Sequence, residues 1–204
     1  MDKKAPKVSF KQQMHEAREQ AILQSTCDLL GEKSFDAMTM DDVAGKVGIA
    51  KASLYKHFGS KEELCAAAMV EMLGSVQEYL GTLDGGLSAI DKLRAVVRWS
   101  LERLLANEMP LLPSRNSTLR SVLMSNKAYT NGVVEVSDTV GEWITEAQAC
   151  GVVDPALPPL VVLYTLYARA CDPVVGFLKE SGLYEDDEIV DLVLRTCFDG
   201  LQAR

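Results

Sequence analysis

The chain has 204 residues, 48% hydrophobic and 25% charged, with 21 Lys/Arg against 29 Asp/Glu and a formal net charge of −8. That length suits one domain with a sizeable core, or a small domain plus a medium one, in the ordinary balance of a soluble globular protein. No apolar run approaches the roughly 18 residues of a membrane span, since the longest, Leu160 to Cys171, is interrupted by Arg169, and the Lys3, Lys4 and Lys7 region lacks the apolar stretch of a secretory signal, so a cytoplasmic location is expected.

In chain order, residues 1–9 are polar and lysine-rich and read as a loose arm. From about Lys11 to Leu30, Met14, Ala21, Ile22, Leu23, Leu29 and Leu30 recur at helical spacing, with Gly31 expected to close the helix. Phe35, in the turn that follows, reads as a core plug. Thr39 with Asp42 three residues on resembles a capping box opening a second helix, and Ser60-Lys61-Glu62-Glu63 opens a fourth that runs to about Leu80. Ser88 starts the next helix, to about Asn107, where Pro110 and Pro113 break the chain. Further helices are expected at about 117–125, 127–149, 158–179 and 186–202, with Pro173 ending or kinking the penultimate one. No segment sustains a strand alternation, so the fold class is all-α.

Between the second and fourth helices, Gly48 interrupts the pattern and a short helix over about Ala50 to Phe58 is expected. Leu54 and Phe58 are four apart and can face Val43, Ala44, Val47 and Ile49. Lys51 and Tyr55 form a second pair at the same spacing, and Ala52 and Lys56 a third, both free to face outward. Two short helices with a glycine break and a polar outer face on the second have the layout of a helix-turn-helix, whose second helix enters the DNA major groove. Charge agrees with this. Residues 1–65 are neutral overall, residues 66–204 carry the whole −8, and Lys46, Lys51, Lys56, His57 and Lys61 lie in a stretch with no acid between residues 43 and 61. A local basic surface on an acidic body can still bind phosphates.

The segment Thr39 to Leu64, above all Ala44, Gly48, Leu54-Tyr55-Lys56-His57-Phe58 and Ser60-Lys61-Glu62-Glu63-Leu64, resembles the TetR family of transcriptional regulators. The resemblance implies about nine helices: an N-terminal helix-turn-helix domain, here 1–65, and a ligand-binding and dimerisation bundle, here 66–204. It implies a homodimer formed through the last two long helices, bound to double-stranded operator DNA and most often acting as a repressor released by a small molecule. One departure is Ala50, where relatives often carry Ser or Thr as the helix cap.

Residues assigned to DNA are Thr39, Lys51, Ala52, Ser53, Tyr55, Lys56, His57 and Lys61. Thr39 can cap its helix and also offer a hydroxyl to phosphate, Lys51 and Lys56 can read guanine edges or bind phosphate, and Lys61 is assigned to phosphate. Tyr55 can donate its hydroxyl to phosphate and His57 a ring N–H, with a structural role for His57 as the alternative. In the body, Trp99, Arg103, Met124, Trp143, Tyr164 and Tyr167 are candidate pocket residues, led by Trp99 and Tyr164, although each could equally be ordinary core. Arg169 is expected to pair with Asp172 or across the dimer interface.

Five scattered cysteines with no CxxC pair, and only two histidines, give no expectation of a metal site or of any cofactor. The absence of a Gly-rich phosphate loop or a Ser-His-acid cluster argues against an enzyme. A TetR-like activator, or an interaction protein that has lost operator binding, are the alternatives.

Overall fold

A computed structural model describes residues 9–110 and 117–199. Among these the chain forms ten helical segments and no strand: α1 (Phe10–Glu32), α2 (Met40–Val47), α3 (Lys51–Leu54), α4 (Lys61–Thr82), α5 (Ala89–Leu105), α6 (Thr118–Ser125), α7 (Lys127–Ala149), α8 (Pro159–Ala170), α9 (Val174–Glu180) and α10 (Asp186–Asp199). The all-α expectation holds. The expected helix over 158–179 is broken between Ala170 and Val174, next to Pro173, into α8 and α9, which accounts for ten segments where about nine were expected. The arm before Ser9, the break at Pro113 and the extension of the last helix to Gln202 lie outside the described residues.

Most helices begin where a short polar side chain can satisfy a first-turn amide. Ser9, Thr39, Ser60, Ser88 and Asn126 each accept from the backbone N–H three residues on, and Ser117 accepts from Leu119. At Thr39 the capping box is complete: its hydroxyl accepts from the Asp42 amide, and the Asp42 carboxylate accepts from the Thr39 amide at 2.8 Å. Gly48 ends α2 in the left-handed region at φ 75°, where its own amide and that of Ile49 close onto the Ala44 carbonyl.

These helices enclose two apolar cores. The first joins Ile22, Leu23, Cys27, Leu29 and Leu30 of α1 with Phe35, Met38, Val43, Leu54, Phe58, and Leu64, Cys65 and Met69 of α4. Phe35 is thus the plug expected of it. The second joins Leu93, Val97 and Leu101 of α5 with Val136, Val140 and Ile144 of α7, Val162 and Leu166 of α8, and Ile189, Val190 and Phe198 of α10. Helix α4 runs between them. It lends Leu64 to Met69 to the first and Leu80 to the second, with Leu73 packed against both.

The glycine expected to end α1 has a different role. The helix continues through Gly31 to Glu32, and the turn after α5 presses on Gly31 so closely that a Cβ there would lie 2.7 Å from the Asn107 carbonyl oxygen and 3.1 Å from that of Met109. Asn107 itself sits at φ 58°, a conformation that asparagine tolerates better than most residues. Gly31 is therefore a contact between two backbones, that of α1 and that of the turn after α5.

Two expected outcomes follow from this local structure. Gly31→Ala forces backbone apart and should lower stability by about 1–3 kcal/mol, whereas Gly141→Ala, in open space on α7, should be neutral or raise it by about 0.5–1 kcal/mol; thermal unfolding followed by circular dichroism compares them. At the cap, hydrogen bonds from the Thr39 hydroxyl, then from Lys33 and the Thr39 amide, lower the Asp42 carboxyl from 3.8 to about 2. A depressed carboxylate contributes its stability above the unfolded-state value and loses it as the pH falls through the folded one. The difference in melting temperature between wild type and Asp42→Asn should be constant above about pH 5 and shrink between about pH 4 and pH 2.

Candidate nucleic-acid interface

The α2–α3 unit is built by packing rather than by local helix propensity. Helix α3 has only four α-helical residues, and Ala50 at its N-cap offers no side-chain hydrogen bond. Backbone bonds from Lys56 to Ser53, His57 to Leu54 and Phe58 to Leu54 carry the coil through Phe58, so the helical path spans the length expected from the sequence. Leu54 is fully buried and Phe58 nearly so, against Val43, Ala44, Val47 and Ile49. Each such burial is worth about 1.5–3 kcal/mol. That exceeds the roughly 1 kcal/mol forgone at the missing cap, so the two apolar anchors set the position of α3.

The opposite face carries the outward residues. Lys51, Ala52, Tyr55 and Lys56 are exposed, Tyr55 with 46% of its surface free, and Ser53 is half-buried. The Lys51 ammonium donates to the Asp41 carboxylate of α2 at 2.7 Å, which raises its pKa. Both groups are well exposed, so water screens the pair. Thr39 is exposed at the head of α2, and its hydroxyl also donates to Asp42.

Three members of the basic stretch point elsewhere. Lys61 is not placed for phosphate: its ammonium donates to the carbonyls of Phe35 and Met38 at 2.9 and 3.0 Å and lies 4.2 Å from the centre of the Phe35 ring. A cation in the first turn of α4 opposes the helix dipole at a cost of about 0.3–1 kcal/mol. Two charge-assisted hydrogen bonds at roughly 1.5–3 kcal/mol each outweigh it, so Lys61 fastens the α1–α2 turn to α4. Lys46 turns back to Glu32 and Asp28 of α1. His57 packs against His15 of α1, the rings tilted at 40° with centres 4.5 Å apart, and its Nδ1 is buried without a hydrogen-bond partner. The contact between the two histidines was missed at the sequence level, because 42 positions separate them and no local spacing links them.

The six body candidates do not line one cavity. Trp99 stacks on Tyr79 at 4.9 Å, and the Arg103 guanidinium lies 4.7 Å over its ring while bonded to Glu108 at 3.0 Å. Trp143 packs on the second core with Lys92 above it. Tyr167 is half-buried, hydrogen-bonded to Ser137 at 2.9 Å, and burial raises its pKa. Met124 is 57% exposed and Tyr164 62% exposed, so neither is enclosed. Tyr164 stands in an open groove with Leu160, Val161 and Ala168. Arg169 pairs with Asp172 at 2.7 Å as expected.

On α9, Val174 and Phe177 are also exposed. Residues Pro159–Glu180 are, by length and composition, long and apolar enough to cross a membrane, contrary to the sequence reading; the stretch is broken before Val174, and Val162, Leu163, Leu166 and Val175 are buried in the second core. Of the five cysteines, Cys27 and Cys65 are pushed up to about 12 and Cys171 to about 11 by burial, which disfavours their thiolates, while Cys150 is exposed.

Residues 22–68, which hold the end of α1, all of α2 and α3 and the start of α4, match the family described as bacterial regulatory proteins, tetR family. The chain is 26% identical over 94 residues to the transposon Tn10 TetC protein of Escherichia coli, covering 46% of this chain and 48% of that one. It is 37% identical over 76 residues to the HTH-type transcriptional regulator YdeS of Bacillus subtilis, covering 37% of each. The chain thus spans about half or less of the curated relatives it matches. The fold extends further: the transcriptional regulator FadR of Bacillus subtilis, solved in complex with stearoyl-CoA, superposes with a TM-score of 0.62 at 15% identity, over 90% of this chain and 99% of that one. The segment that builds α2, α3 and the head of α4 is thus the part of the chain that matches the TetR family of bacterial regulatory proteins.

Proposed function

We propose that the protein is a sequence-specific, DNA-binding transcriptional regulator, a TetR-type repressor that acts in the cytoplasm as a homodimer and leaves its operator when a small molecule binds. The observation that carries this reading is the α2–Gly48–α3 unit, with Leu54 and Phe58 locked inward and Lys51, Ala52, Ser53, Tyr55 and Lys56 on the free face. On this reading residues 1–65 form the reader, and Thr39 adds a hydroxyl at the head of α2. Residues 66–204 form the ligand-binding and dimerisation body. No catalytic role is assigned.

A single helix-turn-helix reads only a few base pairs, and a two-fold pair reads two half-sites on one face of the duplex. The exposed apolar side chains of Leu160, Val161, Tyr164 and Phe177 support a dimer made by the last helices, since a second copy would remove them from water. For the ligand, the stearoyl-CoA bound by the FadR of the same fold makes an acyl-CoA thioester the first class to test. Trp99 and Arg103, stacked beside Tyr79 of α4, are the body residues best placed to pass a change at such a ligand to the reader.

Fluorescence anisotropy with labelled duplex from the chain's own upstream region, at two salt concentrations, tests the DNA reading. Binding should weaken with salt, and Lys51→Ala or Tyr55→Ala should weaken it by about tenfold. Lys61→Ala should lower thermal stability while leaving the salt slope unchanged. Affinity indistinguishable from scrambled DNA in a selection over the whole genome would overturn the reading.

The dimer has its own readout in light scattering. Wild type should run at twice the mass of one chain, and Tyr164→Glu, which places a charge in the apolar groove, should halve that mass with the far-UV spectrum unchanged. A monomeric wild type would remove the two-fold model.

A further inference from the structure

We propose that His15, Glu19 and His57 form a binding site for a divalent transition-metal ion of the zinc class, which clasps the end of the reader helix to α1. Both histidines of the chain meet here. One ligand atom from each of the three side chains can be chosen so that all lie within 4.8 Å of one another. His15 and Glu19 are one helical turn apart on α1, so they project from the same face, with His15 Nδ1 3.6 Å from the Glu19 carboxylate. His57 reaches them from the coil after α3.

The donor set selects the ion. Two imidazoles and one carboxylate suit zinc, cobalt or nickel, whereas magnesium and calcium seek oxygen alone. Zinc bonds of about 2.0–2.1 Å in a tetrahedral shell place neighbouring ligand atoms about 3.3 Å apart, so the three groups must close by roughly 1.5 Å. They have the room, because the side chains of His15 and Glu19 are 61% and 44% exposed and can swing onto His57. Three protein ligands leave a fourth position to water. His57 also has a reason to accept a ligand, since its Nδ1 is buried without a partner and such a nitrogen is costly. The ion would tie down the turn that follows α3, the element with the fewest α-helical residues in the fold and no side-chain cap. The site stands whether or not the chain reads DNA.

Zinc competition against a chromophoric chelator, using the full metal-free chain, measures the site directly, and cobalt absorption reports its ligands. One zinc per chain should bind, with a cobalt spectrum of nitrogen and oxygen ligands and no thiolate charge-transfer band. His15→Ala and Glu19→Gln should each weaken zinc at least about tenfold while the far-UV spectrum stays unchanged, because both side chains are on the surface. Cys150→Ser, which removes the exposed thiol, should bind zinc as wild type does. No uptake by the wild type, uptake indifferent to His15→Ala and Glu19→Gln, or uptake lost only in Cys150→Ser would each overturn the proposal.

Discussion

Helix α4 is the constraint on which the rest of the molecule depends, because it belongs to two cores at once. Its 22 residues span roughly 33 Å at 1.5 Å per residue. It packs on α1 and α6 in the first core, lies along α7, and meets α5 where Tyr79 stacks on Trp99. Leu73 sits where the two sets of contacts overlap, and Gly132 of α7 lies so close that a Cβ there would be 3.2 Å from the Leu73 side chain. A rotation or shift of α4 cannot be confined to one end, since close-packed interiors do not deform continuously. This gives the proposed regulator a mechanical link between body and reader that needs no hinge loop.

The same helix decides which charges are available at the surface. Lys61 at its head is committed to the carbonyls of the α1–α2 turn, and Lys46 of α2 is committed to α1. The basic character of the proposed reader therefore rests on fewer groups than the run of lysines suggests: Lys56, and Lys51 through an exposed pair with Asp41 that water screens. A small, exposed set of cations on a body carrying the net −8 favours contact through one face and discourages indiscriminate adhesion.

Most of the fold was legible because its signals are local. Thr39 with Asp42, Ser60 with Glu63, and the left-handed Gly48 each announce a helix boundary within four residues, and the four-residue spacing of Leu54 and Phe58 separates the buried face of α3 from the free one. Tertiary contacts were hidden. Gly31 carries the composition of a helix end, but its real neighbour is the Asn107 carbonyl, 76 positions away. Lys61 looks like any lysine after a serine cap until the turn carbonyls above it are placed. The aromatic residues of the body gave no register at all: Tyr164 and Tyr167 are three apart on one helix, yet one stands in an open groove and the other is hydrogen-bonded to Ser137. Composition could nominate these residues, but only packing assigns their neighbours.

The contact at Gly31 has one further consequence. Most junctions between helices are cushioned by side chains, whose torsions absorb small displacements before the main chain moves. Here the main chain of α1 rests on the main chain of the turn after α5, with no rotamer between them to take up slack. Any inward displacement of the α5 end is therefore delivered to α1 undiminished, and any withdrawal opens a gap that nothing nearby can fill by turning a side chain. Small motions, which would be lost across a softer joint, are conserved across this one.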